Sequence, residues 1–70
     1  MTIGERISNE LRNKGMTQRE LAAKIGISEV SISRYVCEGR QPRAVTLGQI
    51  AKVLGVSTDY LIGMDDLTNN

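Results

Sequence analysis

Seventy residues with one cysteine and no histidine exclude both an internal disulfide and a Cys/His metal site. A core this small then has tight helix packing or dimerisation left to hold it, and 40% hydrophobic residues are too many for a disordered tail. The net charge of +1 is weak for a nucleic-acid binder, but residues 1–43 hold eight Lys/Arg against five Asp/Glu (+3) and residues 44–70 one Lys against three Asp (−2).

Hydrophobic spacing and capping signals predict five helices, over 2–14, 17–25, 28–37, 44–54 and 57–62, and no strand. The first opens on a capping box, Thr2 with Glu5. Ile3, Ile7 and Leu11 give it one apolar stripe, with Arg6, Arg12 and Lys14 pointing elsewhere, and Gly15 ends it. A start signal then repeats: an apolar residue, a Ser or Thr, and an apolar residue four places further on. It runs Met16-Thr17 to Leu21, Ile27-Ser28 to Ile32, Val45-Thr46 to Ile50 and Val56-Ser57 to Leu61. Each reads as a hydroxyl N-cap crossed by a hydrophobic staple, with Glu20 and Gln49 completing boxes on Thr17 and Thr46. Glycines follow the helices at 15, 26, 55 and 63.

In the second helix Leu21, Ala22 and Ile25 face inward; in the third, Ile32 and Tyr35 do. The fourth buries Leu47, Ile50, Ala51 and Leu54, and its Gly48 reads either as a close helix contact or as a later helix start. The tail 64–70 is short and polar and is expected to fray. Without a leader or a long apolar run, the chain is expected in the cytoplasm with the nucleoid and not at a membrane.

Ala22, Gly26 and Ile32 stand at the spacing of a helix-turn-helix. Here the chain resembles the lambda-repressor-like family of phage repressors, Cro proteins and small bacterial regulators. The likeness runs from about Ile7 to Gly63 and includes the segment GVSTDYLIG. It implies an all-α, five-helix DNA-binding domain over 1–63, with the third helix in the major groove of double-stranded DNA.

On such a helix the residues that do not pack inward meet the DNA: Ser28, Glu29, Val30, Ser33 and Arg34. Arg34 suits guanine O6 and N7, Val30 a thymine methyl, Glu29 cytosine N4, and Ser33 either kind of edge. Each has a plainer reading: a phosphate contact or ion pair for Arg34, helix-dipole stabilisation for Glu29, simple exposure for Val30. Gln18 and Arg19 open the second helix, where free N–H groups favour phosphate, and the family uses a Gln at the position of Gln18 against the backbone. The resemblance also lays the loop Glu38–Arg43 along the phosphates, with Arg40, Gln41 and Arg43 as contacts. The family commonly has Asn-Gly after the third helix; this chain has Cys37-Glu38, with Gly39 one place later. Cys37 reads as a small, partly buried side chain, with a redox switch as the alternative.

No P-loop, no Gly-x-Gly-x-x-Gly and no nucleophile with a base at recognisable spacing is present, so no enzyme, cofactor, metal or small-molecule ligand is expected. One recognition helix reads few base pairs, so a homodimer on a near-palindromic operator is expected. The family places dimer contacts at the end of the chain, where Val56, Tyr60, Ile62 and Met64 are the candidates, with Leu67 beyond them and Leu61 turned inward. The alternative function is a protein-binding module on the same fold, such as an antitoxin-like or anti-repressor partner. An RNA-binding domain is disfavoured by the lack of surface aromatics and RNA motifs.

Overall fold

Four hydroxyl residues set where four of the helices begin. In the computed structural model, which describes residues 1–64, Thr2, Thr17, Ser28 and Ser57 have extended backbones, and each accepts a hydrogen bond from the N–H three residues on. The five helices are α1 (Ile3–Lys14), α2 (Gln18–Ile25), α3 (Glu29–Cys37), α4 (Ala44–Leu54) and α5 (Thr58–Ile62). The predicted ranges of the first, second, third and fifth start one residue early because they included the cap. At Thr2 and Thr17 the capping box is complete, with Glu5 and Glu20 accepting from the cap N–H at 2.8 and 3.0 Å. Both carboxylates are held below the usual range, chiefly by that backbone hydrogen bond. Leu67 and the rest of the tail lie outside the described residues.

The fourth start signal is not a cap. α4 begins at Ala44, with Arg43 at its N-cap and no side-chain cap bond, and Thr46 lies inside the first turn. Its expected staple does not form either, since Val45 is 75% exposed while Ile50 is fully buried. The other three signals each follow a glycine with left-handed backbone that has just closed a helix. Val45-Thr46 follows Ala44, so nothing stops the chain there. Gly48 is likewise interior to α4 and marks no start, and no neighbouring group comes within 4 Å of where its side chain would be.

Every helix contributes to one aliphatic core. Ile7 of α1, Leu21 of α2, Ile32 of α3, Ile50 and Leu54 of α4 and Leu61 of α5 are all fully buried. Each such side chain contributes about 1.5–3 kcal/mol on leaving water. α2 packs on α3 and α4, while α1 packs on α3, α4 and α5 and so ties the two ends of the chain together. Ala22, 3% exposed, keeps the α2 face flat. Gly26 has φ of 76° and no group within 4 Å of its missing Cβ, so glycine is required there by the backbone turn and not by crowding.

α1 departs from its predicted pattern. Arg6 does not point to solvent: it is 7% exposed, with its guanidinium 5.1 Å from the centre of the Tyr60 ring. Gly4 is also buried, and a Cβ on it would run into the Tyr35 carbonyl oxygen of α3. Among the described residues no strand is present, and no helix is long and apolar enough to cross a membrane.

Candidate nucleic-acid interface

The burial of Ile32, with Tyr35 packed against the core, fixes which side of α3 faces out. At helical spacing the opposite side presents two rows, Val30–Arg34 and Glu29–Ser33–Cys37. Val30 is 59% exposed, and Glu29 and Arg34 are exposed. Ser33 is half-buried and its hydroxyl donates to Cys37 Sγ at 3.9 Å. Cys37 itself is exposed, against the expectation of partial burial, because it continues the outward row at the end of the helix. Ser28 is exposed, but its hydroxyl already accepts from the Ser31 N–H at 3.1 Å as the cap of α3. A base contact by Ser28 therefore has to share that oxygen.

Two contacts join this face to its neighbours. Arg19 Nε lies 4.0 Å from Glu29 Oε1, linking the first turn of α2 to the first residue of α3. The Arg34 carbonyl accepts from the N–H groups of Glu38 and Arg40 at 3.1 and 3.2 Å, with Gly39 between them at φ of 72°. This fixes the path of the loop after α3: the left-handed residue simply falls at Gly39, one place later than in the familiar Asn-Gly pattern. Arg40, Gln41 and Arg43 are exposed along it. At the start of α2, Gln18 is half-buried and Arg19 exposed. The ten candidate residues thus carry four arginines and one glutamate, a positive surface on one side of the helix pair.

The dimer candidates divide. Val56 and Tyr60 pack against the chain's own core, whereas Ile62 and Met64 are 45% and 43% exposed. Sequence reasoning missed the Arg19–Glu29 pair, which spans ten residues and needs the turn between α2 and α3 to form. It also missed Gly4 and Arg6, whose burial depends on how α1 lies across α3 and α5.

Two short helices crossing at a glycine turn, the second with a polar and basic outer face, define a helix-turn-helix domain of the lambda-repressor-like fold. The helix-turn-helix family model matches residues 7–61. The chain belongs to that Cro/C1-type helix-turn-helix family, a family of transcriptional regulators and not of enzymes. It is 35% identical over 68 residues to the HTH-type transcriptional regulator ImmR of Bacillus subtilis, which covers 97% of this chain and 54% of ImmR. The chain therefore spans about half the length of that relative. The P22 c2 repressor, solved in complex with a synthetic operator, superposes with a TM-score of 0.83 at 31% identity, over 89% of this chain and 94% of that one. SinR, a regulator of biofilm formation solved in complex with DNA, gives 0.80 at 31%, over 86% and 97%. SinR in complex with SinI gives 0.80 at 28%, over 96% and 66%.

Proposed function

We propose that the chain is a sequence-specific transcriptional regulator, acting as a repressor, that reads the major groove of double-stranded DNA with α3. It acts in the cytoplasm on the nucleoid, as a homodimer on a near-palindromic operator. The observation that carries this reading is the outer face of α3. Glu29, Val30 and Arg34 are exposed there, Arg19 sits beside them, and the Arg40–Arg43 loop is anchored on the Arg34 carbonyl. Base-reading groups are flanked on both sides by groups suited to phosphate, which is how such a helix is held in register on a duplex. Two solved neighbours of the same fold, at 31% identity, are themselves complexes with DNA.

The test is selection of bound duplexes from a random pool at two salt concentrations. A palindromic motif with half-sites one helical turn apart, about 34 Å, is the expected result. A single half-site would remove the homodimer, and no enrichment at all would remove the DNA reading. A second reading, a module that binds another protein, rests on the SinR–SinI complex. It is the reading left standing if neither selected nor random duplex is bound.

A further inference from the structure

Glu29 occupies a place where a carboxylate is costly. It is the first residue of α3, on the face proposed to enter the groove, and a bare carboxylate brought to a surface dense in phosphate is repelled. Its Oε1 lies 4.0 Å from Arg19 Nε, across the turn on the first turn of α2. The two side chains are 56% and 86% exposed, so the guanidinium is the more outward partner. A guanidinium has five N–H donors. One edge can face the carboxylate while the others stay open to an incoming anion.

We propose that Glu29 is a positioning residue for Arg19 and not a reader of bases. This rests on the DNA-binding reading above and deepens it. The carboxylate holds the long arginine side chain at the mouth of the groove before DNA arrives, so less freedom is lost when the guanidinium meets a phosphate. Pairing also removes the repulsion that Glu29 alone would meet. A Glu29 carboxylate turned toward a base edge would have to leave Arg19, so holding the arginine and reading cytosine compete.

The experiment is a double-mutant cycle, Glu29→Ala, Arg19→Ala and both together, read as affinity on the selected operator and on random duplex, with the base preference of each variant taken from the random pool. Because both side chains are more than half exposed, the variants fold, and circular-dichroism melts check this. An exposed pair of this kind predicts that Glu29→Ala weakens binding about two- to fivefold per recognition helix. The loss is equal on operator and random duplex, the preferred bases do not change, and in the Arg19→Ala background the loss disappears. A changed base preference in Glu29→Ala overturns the proposal, because Glu29 then reads a base. Unchanged or tighter binding, or the same loss without Arg19, overturns it as well. If the unsubstituted chain binds neither duplex, the DNA reading itself has failed, and that outcome is distinct from all of these.

Discussion

Gly4 and Gly48 lie in helices and have opposite roles. At Gly4 a methyl group would run into the Tyr35 carbonyl oxygen and lie 3.0 Å from that of Val36. Both are backbone atoms of α3 and cannot rotate away. Gly4→Ala is therefore expected to lower stability by about 1–3 kcal/mol. Gly48 meets nothing within 4 Å in the interior of α4, so Gly48→Ala should raise stability by up to about 1 kcal/mol through helix propensity alone. Thermal melts of the two variants give both signs, and a neutral Gly4→Ala would mean that α1 and α3 do not approach so closely. Arg34 is the exposed residue best suited to a bidentate base contact. Arg34→Ala should cost about 1–3 kcal/mol on the selected site and relax its sequence preference. Gln18→Ala and Arg43→Ala should weaken operator and random duplex alike, since phosphate carries no sequence. Equal loss on both duplexes for Arg34→Ala would move that arginine to the phosphate class.

Three helix junctions are built from the same three residues, a glycine, an apolar residue and a Ser or Thr: Gly15-Met16-Thr17, Gly26-Ile27-Ser28 and Gly55-Val56-Ser57. The glycine takes the left-handed conformation that ends one helix. The apolar N–H then donates back to that helix, from Met16 to Leu11, Ile27 to Ala22 and Val56 to Ala51, at 2.9 to 3.1 Å. The apolar side chain packs on the core, and the hydroxyl caps the next helix. One residue thus serves as the hydrophobic contact of a Schellman end and as the staple of the following start. The caps of α1 and α2 also carry a pH dependence. The folded carboxyls of Glu5 and Glu20 ionise below their usual range because each accepts from a threonine backbone N–H. A depressed folded value means that the stabilisation is present above the unfolded value, about 4.3, and is lost as pH falls through the folded one. Melting temperature should drop from about pH 5 toward pH 3, and drop less in Glu5→Gln/Glu20→Gln, whose amides keep the cap bond at any pH. Parallel acid profiles for the two proteins would remove these caps as a source of acid sensitivity.

At the scale of the molecule, α1 is the strap. It touches α3, α4 and α5, and its Arg6 lies under Tyr60 of the last helix. This changes how assembly is to be tested. Tyr60→Glu would act on the fold, because the ring stacks on Arg6 and packs against the core. Ile62 and Met64 are the exposed apolar candidates of the same region, so Ile62→Glu and Met64→Glu should leave the melting temperature nearly unchanged and reduce cooperative binding to a two-half-site duplex. Sedimentation with that duplex should count two chains for the unsubstituted protein. One chain per duplex, or undiminished cooperativity in both variants, would contradict the homodimer.

The five helices, their caps and the inward residues of the helix-turn-helix were legible because each is a local matter. Staples, hydroxyl caps and left-handed glycines act within five or six residues, and burial follows helical spacing. Even the failed signal at Thr46 had a local tell, the missing glycine before it. The tertiary structure alone decided the rest. Arg6 reads as a solvent residue until α5 folds back over α1 and lays the Tyr60 ring beside it. Gly4 reads as a weak spot in α1 until the carbonyls of α3 stand against it. Arg19 and Glu29 read as separate candidates until the turn at Gly26 brings them to 4.0 Å. In each case the partner lies on another helix, and a distance between helices is set by how all five share one core, which no local window of sequence contains.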